Sequence, residues 1–167
     1  MSRRIHTIAF TVAILSGALA SFAVAGELQP RAVPKPVMDA VKTRFKGAKF
    51  MAAAKETTTT GAPIYEVSLT DKGKAIDLMV TPAGAITLIE KEIAQKDLPK
   101  GPADTLAARY PKAKFQLYEE VYTVEAGKET LMYYEVILID PHKQTWAVEM
   151  ELNGVVRKIE NKTGEVD

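Results

Sequence analysis

Leu131-Met132-Tyr133-Tyr134-Glu135-Val136-Ile137-Leu138-Ile139-Asp140 has a degraded counterpart in Ile64-Tyr65-Glu66-Val67-Ser68-Leu69-Thr70-Asp71, and this self-similarity constrains the fold more than any other feature. It extends along the chain. Val41 to Phe50 stands against Leu106 to Phe115 at a constant offset of 65, and Pro34-Lys35-Pro36 against Pro99-Lys100-Gly101. Tyr65-Glu66-Val67 then matches Tyr134-Glu135-Val136 at an offset of 69, and Gly84-Ala85-Ile86 matches Gly154-Val155-Val156 at 70. The offset grows only where turns are expected, and there insertions cost little. The pattern predicts an α+β chain of two tandem repeats. Each would be one N-terminal helix packed on a four-stranded antiparallel meander, with two sheets that could join into one curved sheet.

Met1 to Ala25 is expected to act as a signal peptide, because Arg3-Arg4 precede the apolar run Ile8 to Val24 and Ala23-Val24-Ala25 offers small residues to a signal peptidase. The competing reading is a membrane anchor, since the run approaches the roughly 20 residues that span a bilayer. Cleavage leaves 142 residues with 20 basic and 21 acidic side chains, a formal charge of −1. That balance gives no electrostatic case for nucleic acid or for a membrane surface after cleavage. The chain has no cysteine, which excludes disulfides, thiolate metal sites and a cysteine nucleophile. A periplasmic or secreted protein without such staples must rely on its core. One shared core is easier to sustain than two, because a 60-residue unit buries only about 60% of its unfolded surface.

In order, residues 26–33 read as a lead-in, 34–92 as the first copy, 93–98 as a linker, 99–162 as the second copy and 163–167 as a polar tail. Val37, Met38, Val41 and Phe45 fall on one helical stripe, stopped by Gly47. Tyr65, Val67 and Leu69 alternate with Ile64, Glu66 and Ser68 as a strand with one buried side would. Asp71-Lys72-Gly73-Lys74 predicts a tight hairpin. Ile76, Leu78 and Val80 then take the inner face, as Trp146, Val148 and Met150 do in the second copy. Ala103, Leu106 and Tyr110 form the second helical stripe, which Pro111 ends.

Catalysis has little to stand on. His142, the one histidine beyond the signal segment, lies in a predicted turn, and Glu66 and Glu135 fall on faces expected to meet solvent. Neither a glycine-rich phosphate loop nor paired-histidine metal spacing is present, so no cofactor and no metal site is expected. Recognition fits better. If Phe115 and Tyr134 face inward, then Tyr118, Tyr122, Tyr133, Glu135 and Ile137 share the outer sheet face, and tyrosines carry much of the energy at interfaces. The same side chains could instead pack against the other copy or a second subunit, and the oligomeric state is left open.

Tyr110-Pro111-Lys112-Ala113-Lys114-Phe115, followed by Tyr-Glu-Val and a glycine turn, resembles the PepSY-like domain, an exported family grouped with the β-lactamase-inhibitory protein fold. The resemblance covers Pro34 to Glu160 and departs at Lys46-Gly47, where proline would stand. It implies tandem helix-plus-sheet units and a non-enzymatic role in the cell envelope, binding a protein or peptide, with inhibition of a peptidase or a β-lactamase as candidates. A small-ligand carrier and a weak envelope enzyme are the competing classes.

Overall fold

Period-two alternation governs most of the chain after Lys49, and in the computed structural model, which describes residues 32–164, it becomes β structure. The elements are α1 (Lys35–Arg44), β1 (Lys49–Thr57), β2 (Pro63–Asp71), β3 (Lys74–Val80), β4 (Ile86–Glu92), α2 (Lys100–Arg109), β5 (Lys114–Glu125), β6 (Lys128–Ile139), β7 (Thr145–Met150) and β8 (Val156–Asn161), with a 3-10 turn at Gln95–Asp97. The strands form one eight-stranded sheet in the order β1-β2-β3-β4-β5-β6-β7-β8. The signal segment, most of the lead-in and the last three tail residues lie outside the described residues. No helix among the described residues is long and apolar enough to cross a membrane.

Local chemistry explains the element ends. Both helices start on proline, Pro34 and Pro99, which lack the donor that a first turn leaves unsatisfied anyway. Lys35–Asp39 and Lys100–Asp104 pair one turn apart on exposed faces, where such pairs add only tenths of a kcal/mol. The β2–β3 hairpin turns through Lys72 and Gly73, and the β5–β6 hairpin through Ala126 and Gly127, all at positive φ. That backbone twist is the one two-residue hairpins favour.

The expected pair of tandem helix-on-sheet repeats is not what the chain builds. It is mainly β, with two ten-residue helices on a single continuous antiparallel sheet. Past the end of β4 the backbone stays tied to β5, where the Ile93 amide donates to the Tyr118 carbonyl at 2.8 Å. The compact bodies cut across the copies as well. Residues 123–129, the β5–β6 hairpin tip, belong with residues 32–90, and there Arg44 donates to Glu129 at 2.7 Å. The recurring Tyr-Glu-Val and glycine-turn segments therefore report one local solution used twice in a sheet, and not two self-contained units.

In the body of residues 91–122 and 130–164, Leu98, Leu106, Tyr118, Tyr134, Val136, Leu138, Val148 and Met150 form the core, with Trp146 half-buried against it. The Trp146 indole donates to Asp140 at 3.0 Å. Asp140 also accepts from the amides of His142 and Gln144, and these bonds hold its carboxyl below the usual carboxylate range. The start of α2 meets the β7–β8 turn backbone to backbone. A side chain on Gly154, whose φ is +90°, would lie 2.4 Å from Gly101. Thr105 donates to the Gly154 carbonyl at 2.8 Å across the same seam. In the other body Val37, Val41, Val67, Leu78, Val80 and Ile89 are buried, and Gly84 packs against Pro36.

Candidate functional site

The sheet face turned away from α2 is charged, and β6, β7 and β8 build it. Tyr134, Val136 and Leu138 enter the core with α2, so alternation turns Tyr133, Glu135 and Ile137 to the other side. Glu135 lies directly opposite Glu149 of β7, and Glu149 directly opposite Lys158 of β8. Two facing carboxylates repel unless cations intervene. Strand β8 supplies these: Lys158 Nζ lies 3.7 Å from Glu149 and 2.8 Å from Glu160, and Lys162 Nζ lies 3.4 Å from Glu160.

Arg157 reaches the same face because β8 is irregular. Glu149 pairs with Lys158 but Met150 with Val156, so Arg157 is an extra residue in the strand. Such a bulge re-aims a side chain that strict alternation would send the other way. The Arg157 guanidinium lies 4.3 Å from the centre of the Tyr133 ring, and its Nε 3.5 Å from Glu149 and 3.9 Å from Glu151.

Burial shapes the electrostatics of this cluster. It pushes the Glu135 carboxyl up to about 7, helped by the charge of Glu149 and opposed by Lys162 and Lys158. Glu149 is also raised by burial, against the pull of Lys158 and Arg157. Burial works against the charges of Lys158 and Glu160, but their mutual hydrogen bond and neighbouring charges outweigh it, holding Lys158 above and Glu160 below their ordinary values. The face thus pairs fixed ions on β8 with a carboxyl on β6 that gains or loses a proton near neutral pH.

Only part of the expected site is brought together. Tyr133, Glu135 and Ile137 share a face, but Tyr118 belongs to the core beside α2, with its ring 5.9 Å from Phe115. Tyr118 thus packs with Phe115 and the α2 core, where strict alternation from Phe115 would send it to the other face. Burial raises the hydroxyl of core Tyr134, with a smaller push from the charge of Glu120. Tyr122 donates to Glu120 at 2.6 Å and lies under Lys91, whose Nζ is 4.5 Å from the ring centre. Nor is the outer face open to solvent as expected. Tyr133, Glu135 and Ile137 are 7%, 8% and 4% exposed, and Glu66 on β2 is buried too.

Alternation alone does not point to Glu149, Arg157, Lys158, Glu160 or Lys162. The run Val155-Val156-Arg157-Lys158-Ile159-Glu160 beside a glycine turn was legible as a charged strand, but nothing in it shows a bulge. His142 is exposed in its turn, as expected. In the other body, Asp77 of β3 accepts from Ser68 at 2.5 Å, and burial pushes its carboxyl up to about 6 despite that bond. Oxygens of Asp77 and Glu90 lie within 4.8 Å of one another. Carboxylates are the donors a calcium ion takes, although it takes six to eight oxygens.

No protein-family description matches the chain, and no curated protein matches it in sequence. Solved structures do match in shape. A protein provisionally assigned to the periplasm of Bacteroides eggerthii superposes with a TM-score of 0.60 at 14% identity, over 78% of this chain and 90% of that one. A DUF2874 family protein from Bacteroides uniformis gives 0.60 at 13% identity, over 78% and 91%. A BLIP-like protein from Bacteroides fragilis gives 0.54 at 13% identity, over 78% and 88%. The fold is BLIP-like.

Proposed function

We propose that this is an exported, non-enzymatic protein of the periplasm or cell exterior that holds a protein or peptide against the partly exposed charged side chains of Arg157, Lys158 and Glu160, which share a sheet face with the buried Tyr133, Glu135 and Ile137. The observation that carries the reading is the composition of that face. An aromatic ring under a guanidinium, an isoleucine and paired ions are groups that interfaces use. Its location is supported by the leader-like residues 1–25 and by similarity in fold to proteins assigned to the periplasm. Kinship with PepSY-like domains is supported by the element Tyr110 to Phe115, where Pro111 follows the end of α2. A β-lactamase or a peptidase is the target class that the resemblance to PepSY-like domains suggests, and function does not follow from fold alone.

A general acid needs a carboxyl titrating near neutrality, and Glu135 has one, but at 8% exposed it offers little to a substrate. Binding is the better use of the site. The test is affinity capture from periplasmic extract by residues 26–167, compared with Tyr133→Ala and Arg157→Glu. A partner held by the wild type and weakened roughly tenfold or more by both variants supports the reading. A partner held equally by all three, or activity of a folded Glu135→Gln-sensitive kind on a chromogenic ester or peptide, overturns it.

A further inference from the structure

Strand β8 ends the sheet, and among the described strands its neighbour is β7 alone. Its edge polarity can be read from one bond. The Lys162 amide donates to the Thr145 carbonyl at 2.8 Å, so Lys162 turns its backbone toward β7. In an antiparallel ladder the direction alternates. Glu160 and Lys158 therefore also turn toward β7, and Ile159 and Asn161 turn their N–H and C=O groups to the open edge.

The side chains along that edge are unusual for one that must stay single. Ile159 is opposite core residue Val148, on the α2 side, yet it is 46% exposed. Lys158 and Glu160 flank it on the other side, each one-third exposed. Natural edges are defended by charge, most often by lysine. Here the charges are of opposite sign and sit symmetrically about Ile159. A two-fold axis through Ile159 places Ile159 opposite its own copy as the hydrogen-bonded pair. The same axis sets Lys158 of each chain directly opposite Glu160 of the other, in the closer, non-hydrogen-bonded positions. The backbone phase and the charge pattern select the same centre independently.

We propose that β8 is a self-complementary edge through which a second copy of this chain adds antiparallel to the first, centred on Ile159, joining two sheets into one of sixteen strands. This does not rest on the face proposed for partner binding. The exposed isoleucine is covered by its symmetry mate, the edge amide and carbonyl of Ile159 bond in both directions, and two Lys158–Glu160 pairs close the far side. The bulge at Arg157 twists the strand beyond that point, which limits the pairing to the segment from Lys158 onward.

Residues 26–167 should sediment as a monomer–dimer mixture whose dimer fraction rises with concentration. Ile159→Pro removes the donor that points to the edge while leaving the bonds to β7, and edge strands tolerate proline. It should weaken self-association roughly tenfold or more. A wild type that stays monomeric throughout, or a dimer unchanged by a folded Ile159→Pro, overturns the proposal. If Ile159→Pro does not fold, Ile159→Cys decides. In a chain with no other cysteine, mild oxidation should link two copies through position 159, much faster than through Lys112→Cys on an exposed turn. Equal rates overturn it.

Discussion

Glu135 shows how a residue's neighbours set its chemistry. Its carboxyl is raised from the ordinary glutamate value to about 7 because it is buried opposite Glu149. A raised folded-state pKa contributes stability that is full below the unfolded value and lost as pH rises through the folded one. Between pH 5 and 8 the protein should lose roughly 2–3 kcal/mol from this group, in the same direction as the smaller losses from Glu149 and Asp77. Lys158, also raised, loses its contribution only at alkaline pH, outside this window. Denaturant melts at the two pH values should show that decline in the wild type and a much flatter dependence in Glu135→Gln. Tyr118 makes the contrasting case. Buried in the α2 core against Phe115, it should cost about 3 kcal/mol when changed to Ala. Tyr133→Ala removes a ring just as buried, with Arg157 stacked on it, and should cost a similar amount, read from urea midpoints.

Among the elements, those set by local chemistry were legible and those set by an irregularity were not. The helices announce themselves by proline at the start and an apolar stripe, and the hairpins by Lys72-Gly73 and Asn153-Gly154. The sides of β6 and β7 follow from alternation, which put Trp146 and Tyr134 toward the helix correctly. Alternation fails at β8, because a single extra residue reverses which side everything beyond it faces, and it fails for Tyr118 on β5. The extra residue in β8 brings Arg157 onto the expected face, while Tyr118 lies in the core beside α2. The Gly101–Gly154 seam makes a sharper prediction. Gly154→Ala combines an unfavourable φ of +90° with a clash against Gly101 and Pro102, and should cost about 2 kcal/mol or more, read as a lowered melting temperature. Gly127→Ala, where a side chain meets nothing within 4 Å, bears only the strain of its positive φ and should cost about 1 kcal/mol.

At the scale of the molecule, internal similarity was a sound guide to which elements recur and a poor one to how they are grouped. Pairing between strands is carried by backbone groups, so a sheet can run on past the point where a sequence pattern begins again. Residues 34–92 expressed alone should therefore fail to melt cooperatively. Such a piece leaves β4 as an open edge, lacks the Glu129-bearing hairpin tip and is near the size where a core becomes marginal. A sharp thermal transition in that fragment, followed by circular dichroism, would restore the two-repeat description.

Because every strand bonds to its predecessor along the chain, each newly delivered segment finds its partner already waiting. Pairing strands far apart in sequence, the slow part of building most β proteins, is not required by such a layout. A polypeptide threaded through a translocation channel from its amino end could then assemble at the pace of its own arrival, spending little time with sticky strands exposed in a crowded compartment.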